Sequence, residues 1–125
     1  MPVEIQQIER DIFLLEWVGE VTIAEIRQSH EDTLALTVPH GIEHYVHIIS
    51  GQRLGRVPLQ MQDMYKVLRN YPGVVAIMGI HVPAIGHVLV RIISKIPGSV
   101  PIEVHNSLDD AVARAREILT TTLTT

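Results

Sequence analysis

The side chains of widest chemical range in this sequence are its seven histidines. His81 and His105 each close an apolar, strand-like run. In a parallel α/β sheet, the carboxyl ends of strands are where ligands collect. His87 follows closely enough to join them, so His81, His87 and His105 form a trio that could hold a metal or move a proton. No carboxylate stands beside the trio at ligand spacing, and the sequence therefore predicts neither a resident metal nor a cofactor. His44 and His47 are three apart on a strand candidate, which sends them to opposite faces. His30 lies between Ile26 and Leu34 on a helix face and reads as an interior or boundary histidine. Short of a metal site, the histidines of loops and helix ends are bonded to backbone or water.

Nucleophiles fare no better. Cysteine is absent, which excludes disulfides, thiolate ligands and thiol catalysis. No serine sits in a Gly-x-Ser-x-Gly elbow. The glycine-bearing GQRLG run at 51–55 lacks the Lys-Ser/Thr end of a phosphate-binding loop. Asp109 and Asp110 suit the first turn of a helix, and Glu31 and Asp32 a solvated face. The sequence points away from an enzyme.

Charge is the stronger signal. The chain carries a net charge of −4, unevenly spread. Residues 1–43 hold nine acids and two bases, whereas residues 44–102 hold six bases and one acid. Within this basic island, His87, Arg91 and Lys95 recur at helical spacing, with Ser94 beside them. Ile85, Val88, Leu89, Ile92 and Ile96 form the core face of the same helix. Val90 and Ile93 widen its apolar arc beyond that of an ordinary surface helix. Lys66 and Arg69 fall on the preceding helix, and Arg53 and Arg56 on a nearby loop. Together, Arg53, Arg56, Lys66, Arg69, His87, Val90, Arg91, Ile93 and Lys95 are the candidate docking residues. Such a surface attracts an acidic protein, a second copy of the chain, or an anionic membrane or lipid. Nucleic acid is disfavoured by the acidic total and by only five aromatic residues.

These residues need a scaffold. The 125 residues suit one domain, and 46% apolar content suits a packed core. Residues 3–8 and 11–18 read as strands of a tight hairpin. A Gly turn at 19–21 follows, and Thr22 with Glu25 then makes a capping box for a helix to about residue 37, stopped by Pro39 and Gly41. Residues 45–50 (YVHIIS) are a strand, and 51–57 a loop. Pro58 opens a second helix carrying Met61, Met64, Tyr65 and Leu68 on its buried side. The unbroken apolar run at 74–80 (VVAIMGI) fits a central strand buried on both faces. A third helix spans about 84–96, a short strand 101–105, and a fourth helix follows Ser107. Residues 120–125 (TTLTT and the preceding Thr120) read as a frayed tail after a domain spanning 1–119. The order β-β-α-β-α-β-α-β-α implies a mixed sheet that is parallel after its opening hairpin. The acidic N-terminus lacks the pattern of a secretory signal, and the absence of cysteine favours a reducing, cytoplasmic setting.

Two segments resemble a known family. FLLEWVGEVTIAEI at 13–26 resembles the strand, Gly turn and first helix of STAS domains, the SpoIIAA-like anti-sigma-factor antagonists. NSLDDAVARAREIL at 106–119 is similar to that family's closing helix. The resemblance implies a βα superhelix with sequential strands, helices mainly on one sheet face, and a bacterial regulatory module that binds a partner protein. Antagonists of the family carry a phosphorylated serine in an Asp-Ser-Ser-Gly segment opening the second helix. Here Arg56, Val57, Pro58 and Leu59 fall at that place, so the phosphorylatable motif is missing. Ser50 is the nearest hydroxyl, and a strand-ending serine bonded to local backbone is the expected reading. A SEC14-like lipid carrier or membrane-surface binder is the alternative, and a histidine-based metalloenzyme a second.

Overall fold

In the computed structural model, which describes residues 3–56, 73–95 and 100–124, the chain opens with the expected hairpin. Strand β1 (Val3–Glu9) lies antiparallel to β2 (Ile12–Trp17), with Val3 opposite Trp17 and Gln7 opposite Phe13. The register shifts between Gln7 and Glu9, just before the turn at Arg10 and Asp11. Then come β3 (Gly19–Glu20), α1 (Ile23–Thr37) and a 3-10 turn (Val38–His40). Strands β4 (Tyr45–Ser50), β5 (Leu54–Arg56) and β6 (Val74–Ile80) follow. Helix α2 (Ala84–Ser94), β7 (Ile102–His105) and α3 (Leu108–Thr124) complete the order. The helix expected after Pro58, with its stripe of Met61, Met64, Tyr65 and Leu68, lies outside the described residues, so α2 is the third helix of the sequence reading.

The main sheet runs β1-β2-β4-β6-β7, and every pair after the hairpin is parallel. Neighbours in the sheet therefore follow chain order, as the resemblance implied. Alternation along the strands makes two cores. One face gathers Phe13, Leu15, Trp17, Tyr45 and Ile77 beneath Ile26 of α1. The opposite face gathers Ile12, Val46, Ile48, Ala76 and Met78 beneath Ala111, Val112, Ala115 and Leu119 of α3. Burial on both faces explains why residues 74–80 form an unbroken apolar run.

Right-handed crossovers between sequential parallel strands place their helices on one side. Helix α2 obeys this rule. Gly79 shares a face with Ile77, and a β-carbon on it would fall 2.6 Å from Val82 Cγ2, in the approach to α2. Gly86 meets the same side chain, so the two glycines make room for Val82 to seat the helix. Among the described residues, α3 is the helix on the other side. It covers the face that α1 and α2 leave open.

Three local expectations change. Residues 19–20 and 54–56 are not a simple turn and loop. They pair as a second, two-stranded parallel sheet, β3–β5, in which Gly19 also donates its N–H to Arg53 O at 2.9 Å. Strands of two and three residues are too short for alternation to reveal. The residues after Leu119 are helical, since α3 continues to Thr124. Thr120, Thr121 and Thr122 donate their hydroxyls to the carbonyls of Arg116, Glu117 and Ile118, four residues back. That pattern lets a threonine run stay helical. Finally, α2 ends at Ser94 rather than Ile96.

Candidate partner-binding face

Helix α2 turns about 100° per residue. His87, Arg91 and Lys95 thus climb one flank, and all three are exposed. Ala84 lies on the same flank and is exposed as well. Val88 corrects the sequence reading, which put it on the core face. Its side chain is 52% exposed. The rotation places it angularly beside Ala84 and Lys95, at the border of the basic stripe. Val90 is half-buried on the other border. The exposed surface of α2 is therefore a basic row edged by an apolar side chain. Ile93 belongs to α2, where its backbone is helical.

The other basic candidates are distributed differently. Arg53 leaves the end of β4 and returns to the hairpin, with its Nη1 2.9 Å from Glu4 Oε2 and its Nε 3.9 Å from Glu16 Oε1. Acids of the N-terminal segment thus neutralise this part of the basic island. Arg56 ends β5, its backbone aligned with Glu20 in the small sheet. Lys66 and Arg69 lie outside the described residues, as does the predicted adjacency of their helix to α2.

The carboxyl ends of the parallel strands form the neighbouring rim. Ser50 is buried at the end of β4, and its Oγ accepts the Gln52 N–H at 3.4 Å. His81 follows β6 with φ +50°, uncommon for a residue with a side chain, and it is exposed. His105 Nε2 lies 3.0 Å from Glu103 Oε1. The sequence reading saw no acid beside the histidine trio. Glu103 is that acid, two residues away on the same strand face. It is committed elsewhere too, because Arg114 Nε donates to both its oxygens at 3.1 Å and Arg114 Nη1 reaches Glu117 at 3.0 Å. The Arg114 hydrogen bond holds the Glu103 carboxyl below the ordinary carboxylate range, with burial opposing it. Glu9 is lowered in the same way by Arg116, which bonds it across from α3. Among the described residues no three His, Asp or Glu side chains are grouped to hold a metal. Nor does any helix there have the length and apolarity to cross a membrane.

One constellation escaped the sequence. His47, which the sequence reading placed on a strand face opposite to His44 and gave no partner, is wholly buried on β4, and neither of its ring nitrogens has a hydrogen-bond partner among the described residues. His30 of α1 is also buried, and the two rings lie 4.5 Å apart between centroids. The signal was present in the position: a central parallel strand has no exposed face, so every side chain of YVHIIS turns inward.

No protein-family model and no curated protein matches the sequence. Solved structures do match. The anti-sigma factor antagonist SpoIIAA in its unphosphorylated form superposes with a TM-score of 0.56 at 11% identity, over 91% of this chain and 97% of its own. The phosphorylated form of the Bacillus cell fate determinant SpoIIAA gives 0.54 at 11%, over 90% and 97%. An uncharacterized DUF3478-family protein from Shewanella loihica with a SpoIIAA-like fold gives 0.62 at 17%, over 90% and 91%. The sequential five-stranded sheet, the two crossover helices on one side and these nearly full-length superpositions converge: the chain has the SpoIIAA-like fold.

Proposed function

We propose that this protein is a non-enzymatic regulatory module that docks an acidic protein partner on the outer face of α2. The observation that carries this reading is the exposed row His87, Arg91 and Lys95 with Val88 at its edge. A cationic row steers an acidic partner and sets its orientation, and an apolar side chain beside it contributes area that loses water on contact. The similarity to an anti-sigma factor antagonist supports a protein as the partner. The missing Asp-Ser-Ser-Gly motif favours docking that is not switched by phosphorylation at that place. Ser50 supports the same view, since its buried hydroxyl is poorly placed for a kinase. A homodimer built on this face is the form the reading takes if the acidic N-terminal segment of a second copy is the partner.

The test is charge reversal. Arg91→Glu with Lys95→Glu should abolish capture of proteins that the wild-type chain retains at low salt, with unchanged Trp17 fluorescence reporting an intact fold. Capture that survives the reversal overturns the reading. Val88 beside the cations would also suit an anionic lipid surface, and flotation with phosphatidylserine vesicles separates the two: co-flotation lost in the same variant moves the assignment from protein to membrane.

A further inference from the structure

We propose that β1 is a dimerisation edge: two copies of the chain pair antiparallel along Val3–Gln7, about a twofold axis at Ile5, and join their sheets into one. The idea is independent of the α2 face. It rests on what β1 offers at the end of the five-stranded sheet formed by the described residues. An edge strand carries a row of backbone N–H and C=O groups that a further strand can meet, and proteins commonly blunt such a row with lysine, proline, a bulge or a charge. Residues 3–9 contain neither lysine nor proline. The bulge comes only after Gln7, so Val3–Gln7 keeps an unbroken register against Trp17–Phe13. Glu4, Gln6 and Gln7 are exposed, and Ile5 is half-buried. The two carboxylates of β1 are answered within the chain, since Arg53 Nη1 lies 2.9 Å from Glu4 Oε2 and Arg116 bonds Glu9 from α3.

The occupant is a second copy because the segment is its own complement. Antiparallel pairing about Ile5 sets Ile5 against its counterpart, Val3 against Gln7 of the second copy, and Glu4 against Gln6 of the second copy. Val3, Ile5 and Gln7 share one side of the sheet, opposite Trp17, Leu15 and Phe13, and Glu4 and Gln6 share the other. On the first side the pairing brings the two Ile5 side chains together. On the second it places each Glu4 carboxylate opposite a Gln6 amide that can donate to it. No like charges stand opposite each other. Moving the axis to Gln6 would set Glu4 against Ile8 and carry the pairing into the bulge.

Closure argues for the same contact. A twofold pairing of β1 with β1 uses one edge of each copy and ends there, whereas pairing β1 with the opposite end strand β7 repeats without limit. Strand β7 is also short, only Ile102–His105. Helix α2 connects β6 to β7, at the far end of the sheet from β1. Both α2 rows therefore stay outward in the dimer.

Sedimentation velocity on the intact chain, over a roughly hundredfold dilution, tests this. The wild type should pass from dimer to monomer. Gln6→Glu opposes like charges at two symmetry-related places and should weaken the dimer about tenfold. Gln6→Lys faces Glu4 instead and should keep the dimer or tighten it. Because Gln6 is exposed, both variants should keep the wild-type far-ultraviolet circular dichroism. Arg91→Glu with Lys95→Glu should dimerise as the wild type does. A wild type that is monomeric throughout overturns the inference. So does a dimer indifferent to both Gln6 variants, or one lost in Gln6→Lys. A dimer lost on reversal of Arg91 and Lys95 overturns it too, and assigns self-association to α2.

Discussion

Gly73 shows how a single position can be fixed by its surroundings on two counts. Its φ is +92°, in the left-handed region that disfavours a side chain. A β-carbon there would also fall 2.8 Å from Tyr45 Cε1 and 2.9 Å from Glu43 O. Tyr45 cannot give way, because its ring is buried at the start of β4 and stacks edge-on against Phe13 at 5.9 Å. Gly73→Ala should therefore destabilise the fold by about 1–3 kcal/mol, read as a lowered urea midpoint with an unchanged slope. A variant as stable as the wild type would mean that the turn before β6 is free to rearrange. Much at this level was legible: Thr22 and Glu25 announced their capping box, and His87, Arg91 and Lys95 announced a shared flank. Arg53 was not, because its partner Glu4 is 49 residues distant. Val88 was misread for a different reason. An apolar residue at the edge of an arc is assigned inward by composition, and only the sheet's position shows where the arc ends.

Helices and strands were more readable than the contacts between them. Each of the five long strands has an apolar pattern set by its own burial, and capping residues mark α1 and α3. The β3–β5 pair was hidden because neither partner has length enough to show a period. Helix α1 is the element whose stability is most exposed to test. Much of its outer face is polar, and its entry depends on the reciprocal cap: the Glu25 N–H donates to Thr22 Oγ1 at 3.2 Å, and the Thr22 N–H donates to Glu25 Oε1 at 3.0 Å. Thr22→Ala removes one acceptor and leaves the Glu25 amide to water. A loss of about 1 kcal/mol is expected in equilibrium unfolding, with Thr22→Ser recovering most of it. If serine fails to rescue, the threonine methyl and not the cap holds the helix start.

For the molecule as a whole, the buried histidines set the response to acid. Unfolded, both have ordinary pKa values near 6.5, whereas folded they are depressed, His30 to about 4. Between these limits the unfolded chain binds more protons than the native one, so stability rises with pH and falls as pH drops below 6.5. At pH 5.5, one unit below the unfolded value, each ring that stays neutral in the fold removes on the order of 1 kcal/mol, and the two together more. That is a large share of the 5–15 kcal/mol typical of a domain. Glu103 also has a lowered pKa, so its contribution has the same sign but is lost only as pH falls below 4.5. The two effects therefore separate on the pH axis. Urea unfolding at pH 7.5, 6.5, 5.5 and 4.5 should show the main decline between 6.5 and 4.5 in the wild type. Replacing both histidines by leucine should flatten that interval and leave the steeper loss below 4.5 intact. A wild-type profile that stays level down to pH 4.5 would mean the rings are solvated in the folded chain, and the packing of α1 on β4 described above would then be wrong.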